Sequence, residues 1–259
     1  MNTRYPIVLI PGLGMKDTFF MKSFGRIDRI LKIQGYTVYK SRVDAFGTIE
    51  NNAAQLKEEI EAILRETGAK KVNLIGHSKG GLDAKYMIAE LDMAEKVASL
   101  TTLCTPHRGS PIASFVMRFP HPAVKLLAFW IDLFYRILGD KHPDSFTACE
   151  QLRRSTPEED ALCLDERVFC QSFSSTLNRG KDDFVMGVPY IFSRLMEKGR
   201  ASDGLVPRDS AIWGNYRGDC VNGSVSHTEI VDFMVRDKKR DSIYAFWSAL
   251  CEELARAGF

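Results

Sequence analysis

Residues 72–91 constrain this chain more than any others. A short β-prone run, Val72-Asn-Leu-Ile75, passes through Gly76-His-Ser-Lys-Gly80 directly into a helix-like segment, Lys79 to Leu91. A serine in so tight a strand-to-helix turn sits at strained backbone angles, and the residues two before and two after it must be small for strand and helix to approach. Gly76 and Gly80 meet that demand. By composition alone a chain of this length carries a G-x-S-x-G pattern by chance about one time in ten. The inference therefore rests on the flanking strand and helix: the turn is a nucleophile elbow with Ser78 at its apex, the competing reading being a βα turn whose serine caps the helix.

The surrounding pattern is consistent with that turn. Ile7 to Ile10 predicts a strand running into Pro11-Gly-Leu-Gly14, followed by a helix from about Phe19 to Gln34 and a strand from Tyr36 to Tyr39. From Ile49 the positions Ala53, Leu56, Ile60, Ile63 and Leu64 step by three and four, with Gly68 as a stop, which predicts an amphipathic helix. Val97 to Leu103 reads as the next strand. Alternating βα units imply an α/β protein with a mostly parallel central sheet and helices on both faces. Further on, a helix is expected near Ser145 to Arg154, strand-like runs at Val168 to Phe173 and Val188 to Phe192, and a last helix from about Asp241 to Arg256.

Composition bounds the class. With 45% hydrophobic and 26% charged residues the chain is globular, neither disordered, collagenous nor coiled coil. Lys+Arg number 35 against 33 Asp+Glu, a formal net charge of +2 without a basic run, so a nucleic-acid partner is not expected. All 259 residues are read as one domain, with an aromatic-rich insertion at about 111–140. Its densest part, Ala123 to Leu138, includes Lys125, Asp132 and Arg136 and is shorter than the roughly 20 residues of a membrane span. The start, Met1-Asn-Thr-Arg-Tyr-Pro, has no signal-peptide pattern, so the expected location is cytoplasmic, the alternative being a secreted chain whose leader is not in this sequence. Six cysteines without paired spacing read as buried or incidental thiols. Oligomeric state is not legible.

A serine hydroxyl is a weak nucleophile near neutral pH and needs a base and an acid that orients it. Of five histidines, His77 adjoins the serine and is expected to point away, His107 to position its loop, and His121 and His142 border the insertion. His227, far downstream in Gly223-Ser-Val-Ser-His-Thr-Glu, is the candidate base. Asp203, in Ser202-Asp-Gly-Leu-Val206, lies 24 residues before it and is the candidate acid, with Asp182, Asp183, Asp209 and Asp219 as competitors. Attack on an ester leaves a negative oxygen that needs preorganised N–H donors. The backbone amides of Lys79, at the start of its helix, and Leu13, in the early glycine loop, are the candidates.

Together these segments resemble the bacterial triacylglycerol lipases of the α/β-hydrolase superfamily, the pseudomonad and burkholderial type. The resemblance is carried by Tyr5-Pro-Ile-Val-Leu-Ile-Pro-Gly-Leu13, Val72 to Leu82, Leu103-Cys-Thr-Pro-His-Arg-Gly-Ser110, Ser202 to Val206 and Ser226-His-Thr-Glu229. It implies an α/β-hydrolase fold with Ser78 as nucleophile, Asp203 as acid, His227 as base and the Leu13 and Lys79 amides as oxyanion donors. Pro11 stands where that family has histidine, a pattern closer to relatives of lecithin–cholesterol acyltransferase. No cofactor is expected. The resemblance also implies a structural calcium, for which Asp183 and Glu229 fall in the ligand places while Phe233 replaces a further side-chain ligand. The insertion occupies the family's lid position, either opening onto a lipid surface or buried permanently as a cap, with Phe115, Phe129, Trp130 and Phe134 lining an acyl pocket. The expected activity is carboxylic ester hydrolysis, of the lipase or esterase kind, through an acyl-enzyme. An acyltransferase using the same intermediate and a non-catalytic lipid- or acyl-binding protein are the alternatives.

Overall fold

Strand β1 (Ile7–Ile10) is buried at all four positions, as a strand covered on both faces must be. The computed structural model describes residues 2–19, 21–153 and 165–259. With β1, the strands β2 (Val38–Lys40), β3 (Val72–His77), β4 (Val97–Leu103), β5 (Phe169–Ser174) and β6 (Asn215–Asp219) form one sheet in the order β2-β1-β3-β4-β5-β6. All five pairings are parallel. Alternation along the strands divides the core: Ile7, Leu9 and Ile75 pack with Leu31 of α1 (Ile27–Ile33) and with Trp247 and Leu250 of α9 (Asp237–Arg256). Val8, Ile10 and Leu74 face the other way, onto Leu56 and Ile60 of α2 (Ile49–Thr67) and Met87 of α3 (Lys79–Glu90).

Helix α2 has the extent that its spacing predicts. Thr48 caps its start, accepting the Asn51 N–H at 3.2 Å, and Gly68 closes it in the left-handed conformation. The sheet changes direction at β1, which has β2 on one side and β3 on the other. The loops leaving β1 and β3 thus flank the crevice where open α/β sheets bind ligands.

Several elements differ from their sequence expectation. Val188 to Phe192 is part of a helix, α7 (Gly187–Met196). Pro189 lies in its first turn, where its missing N–H is not needed, and burial falls on Tyr190 and Ser193, three residues apart. The expected Phe19–Gln34 helix is reduced to α1, because Asp17 takes the Ser23 N–H and hydroxyl at 2.8 Å each and holds the preceding stretch as a turn. Strand β6, half exposed at the sheet edge, has no apolar alternation to reveal it. After the short helix α8 (Arg208–Ala211), helix α9 begins four residues earlier than expected, with the polar turn Asp237-Lys-Lys-Arg. Arg154, the expected end of the helix seen at Ser145–Gln151 (α6), and Cys163 lie outside the described residues; the five described cysteines are free thiols.

The insertion folds as α4 (Pro111–Val116) and α5 (His121–Ile137). Only Ala128 of α5 is fully buried, while Leu126, Leu127, Phe129, Trp130, Phe134 and Ile137 are each more than half exposed. The inward face carries Ala128 with half-buried Val124, Ile131 and Leu138, and two polar anchors among them. Tyr135 donates its hydroxyl to the Gly14 carbonyl at 2.8 Å, and Asp132 accepts the Ser145 N–H at 2.8 Å. A cap buried in the core is therefore not what α5 is. Among the described residues no helix is long and apolar enough to cross a membrane.

Candidate active site

Ser78 joins β3 to α3 at φ 53° and ψ −129°, a conformation that costs an ordinary residue about 1–3 kcal/mol and persists only where the surroundings impose it. They do so here. A Cβ on Gly76 would stand 2.6 Å from Gly81 Cα, and one on Gly80 would stand 2.5 Å from the carbonyl oxygens of Ile10 and Pro11. The Ser78 N–H donates to Leu103 O at 2.9 Å, and the Thr105 hydroxyl donates to Ser78 O at 2.9 Å, so the end of β4 holds both sides of the turn. Gly12 approaches from β1, where a Cβ would be only 2.7 Å from that of Ser78.

His227 and Asp203 meet above the same strand ends. The His227 Nδ1 lies 2.7 Å from Asp203 Oδ2, and the His227 N–H donates to Asp203 O at 2.9 Å. The other carboxylate oxygen, Oδ1, accepts the Leu205 and Val206 N–H groups at 2.9 and 2.8 Å. The Asp-Gly turn thus does two things at once, closing the loop and presenting one oxygen to the imidazole. Both side chains are buried, so the pair acts in a medium where its attraction is little screened. None of the four competing aspartates faces the His227 ring: Asp182 accepts the Ser224 hydroxyl, Asp183 that of Ser226, Asp209 pairs with Arg200, and Asp219 with Arg208. Among the described residues no hydrogen bond joins the Ser78 hydroxyl to the His227 ring, but the two line one cavity, and such contacts often tighten only with substrate bound.

That cavity measures about 280 Å³ and is mostly apolar. Leu13, Ile112, Val116, Leu152, Met186 and Val206 are among its walls. Among the described residues neither the Leu13 nor the Lys79 N–H has an acceptor within the protein, which leaves both amides available to an anionic oxygen. The aromatic residues expected to line the pocket do not: Phe129, Trp130 and Phe134 face outward on α5. Phe115 instead packs edge-on against Phe119 and at a tilt against Phe192. The apolar lining comes from the glycine loop after β1, from α4, from α6 and the residue after it, from Met186 and from the turn after Asp203, and of these Leu13 and Leu205-Val206 lie in recognisable motifs.

Two residues beside Ser78, His227 and Asp203 make contacts that the sequence did not reveal. His77 also lines the cavity, and its Nε2 donates to the His227 carbonyl at 2.9 Å with the rings 4.7 Å apart. Burial holds its pKa well below the usual histidine value, so the ring is neutral and acts as a prop. The Lys79 ammonium is buried against Asp83 Oδ1 at 2.6 Å, and Asn52 donates to Asp83 Oδ2 at 3.0 Å, fixing the first turn of α3 behind the serine. Among the described residues one cluster of metal-ligand types was found, the Cys104 thiol with Asp203 and His227.

A calcium ion does not fit Asp183 and Glu229 as they stand. Lys239 Nζ lies 2.9 and 2.7 Å from the two Glu229 carboxylate oxygens, and Oε2 also accepts the Ser226 N–H at 3.0 Å. Asp183 is occupied by the Val185 and Met186 N–H groups and the Ser226 hydroxyl.

A six-stranded parallel sheet covered on both faces, with a strained serine between β3 and α3 and a histidine–aspartate pair across the crevice, defines an α/β-hydrolase. The chain is similar in fold to a metagenomic carboxyl esterase (MGS0156), with a TM-score of 0.72, 18% identity, and coverage of 98% of this chain and 77% of that one. The family model described as palmitoyl protein thioesterase matches residues 6–142, more than half of the sequence, and the chain belongs to that family. The resemblance to bacterial triacylglycerol lipases also holds. Proteins of that name from Pseudarthrobacter phenanthrenivorans and Burkholderia plantarii are each 33% identical over 169 residues, 61% of this chain. The chain spans about half the length of these curated relatives, 52% and 47%.

Proposed function

We propose that this protein is a serine hydrolase that cleaves carboxylic esters of lipid-like acids through an acyl-enzyme on Ser78. The observation that carries the reading is the His227–Asp203 pair at 2.7 Å, whose histidine lines a mostly apolar cavity together with Ser78. In this mechanism His227, oriented by Asp203, takes the Ser78 proton during attack and gives it to the leaving alcohol. The Leu13 and Lys79 amides meet the oxyanion, and His227 then activates water for deacylation. The outward apolar face of α5 docks on a lipid surface and brings the crevice to its substrate.

The cavity sets an expectation for chain length. At about 30 Å³ per water-sized group, 280 Å³ holds roughly nine such groups. Each buried methylene contributes about 0.8 kcal/mol, or about fourfold in kcat/KM. Hydrolysis of p-nitrophenyl esters from acetate to palmitate should therefore rise by about this factor per methylene and level off near eight to ten carbons, with Ser78→Ala inert throughout. Equal rates for acetate and octanoate, or an active Ser78→Ala, would overturn the reading.

The family match favours a second reading, in which the acyl group arrives as a thioester and the same Ser78 acyl-enzyme forms with a thiol as leaving group. Competition between an S-acyl peptide and the matching O-ester separates the two by their kcat/KM ratio.

A further inference from the structure

The segment carrying His227 is clamped from outside the triad, mainly by helix α9. Trp247 donates its indole N–H to Ile230 O at 2.8 Å, and the Tyr244 hydroxyl donates to Asp232 Oδ2 at 2.9 Å. The tightest of these clamps is ionic. Lys239 reaches from the first turn of α9 to both carboxylate oxygens of Glu229, two residues beyond the histidine, and to the Asp182 carbonyl at 3.3 Å. Glu229 is only 1% exposed, and its Oε2 also accepts the N–H of Ser226, the residue before the histidine. The Ser226 hydroxyl in turn donates to Asp183. One ammonium therefore ties together the 182–183 loop, the residues on both sides of His227, and α9.

Its position carries weight as well. A lysine in the first turn of a helix opposes the helix dipole, which favours anions there. It also neutralises a carboxylate that would otherwise be buried without compensation. We propose that Lys239 is a positioning residue for His227: its ammonium does the work of a bound divalent cation, so that the histidine loop is held without a metal. The inference rests on the hydrolase reading for its kinetic consequence. Its structural consequence, a fixed His227–Asp203 hydrogen bond, does not depend on that reading.

Loss of the ammonium leaves Glu229 and Asp183 beside a cavity of about 230 Å³, into which a hydrated ion can enter. The test is Lys239→Ala beside Lys239→Arg and the double variant Lys239→Met with Glu229→Gln, which leaves no uncompensated charge and so retains the fold. Two quantities are followed: kcat and KM on an octanoate ester, and the low-field proton resonance of the His227 Nδ1–H···Asp203 bond. Misplacement of the base by about 1 Å costs up to about 10²-fold in rate. Lys239→Ala is expected to lose that order in kcat with KM nearly unchanged, and its proton resonance should broaden. Millimolar Ca²⁺ should restore both in Lys239→Ala, while neither Ca²⁺ nor EDTA changes the wild type. The double variant should fold and remain slow, and Lys239→Arg should keep most of the rate. The proposal is overturned if Lys239→Ala and the double variant keep the wild-type resonance and kcat, or if EDTA removes the wild-type resonance. A wild type inert on every ester but with the resonance intact in wild type and lost in Lys239→Ala would instead overturn the hydrolase reading alone.

Discussion

At the scale of single residues, the site depends on a few atoms that have no room to move. Gly12 is required because a Cβ there would collide with that of Ser78, and Asp203 because its two oxygens have different tasks. Asp203→Asn tests the second point. Its Oδ1 still accepts the Leu205 and Val206 N–H groups, so the turn and the fold persist, but the amide nitrogen then faces His227 Nδ1 and forces the wrong tautomer. The expected result is an unchanged melting temperature with kcat reduced by about 10²–10⁴-fold, the usual range for a general base; near-wild-type turnover would assign the acid's role elsewhere. The triad candidates were legible because each lies in a short motif whose chemistry needs that residue type. The cavity walls were legible only in part: Ile112 and Val116 lie in the insertion expected to line the pocket, though they are not the aromatic residues expected, whereas Leu152 and Met186 are ordinary apolar residues that only the fold brings there. Lys239 was equally silent, since a lysine in Asp237-Lys-Lys-Arg reads as solvated surface until Glu229 is placed beneath it.

Among the elements, α5 departs most from expectation. Its aromatic density predicted a pocket wall, whereas the helix turns polar contacts inward through Tyr135 and Asp132 and leaves Trp130 60% and Ile137 77% exposed. The aromatic density of the insertion was legible but not which way its side chains face, because that depends on Gly14, far away in the chain, which accepts the Tyr135 hydroxyl. If the stripe docks on lipid, Trp130→Lys together with Phe134→Lys should weaken sedimentation with phosphatidylcholine vesicles at least tenfold, each buried aromatic being worth about 1.5–3 kcal/mol. Hydrolysis of a soluble short-chain ester should change by less than twofold. Unaltered vesicle binding would leave the exposed stripe without its proposed role. The α7 segment teaches a related lesson. Val-Pro-Tyr-Ile-Phe is β-prone locally, and it becomes helical because Tyr190 and Ser193 are the residues the fold buries.

For the whole molecule, the same sheet that aligns the site also fixes a response to acid. His77 and His107 are fully buried, and burial pulls both pKa values well below the ordinary value of about 6.5, with His227 adding to the effect on His77 and Lys85 and Arg108 to that on His107. Below about pH 6.5 the unfolded chain binds protons that the folded chain refuses. Stability therefore falls as pH drops from 7 to 5, by up to about 1.4 kcal/mol per pH unit for each histidine. Urea midpoints measured across that range should fall steadily, and a flat profile would mean that these rings accept protons in the folded state. The central claim remains that Ser78, driven by His227, is the nucleophile of the hydrolase. Its most direct measurement is fluorophosphonate labelling followed by tryptic mapping, in which the Ser78 oxygen displaces fluoride and the adduct falls in the peptide Val72–Lys79. The account predicts a single label on that peptide, loss of ester hydrolysis in proportion to labelling, and little reaction in His227→Ala. Full activity in protein labelled stoichiometrically at Ser78, or inactivation with the label on another residue, would contradict it.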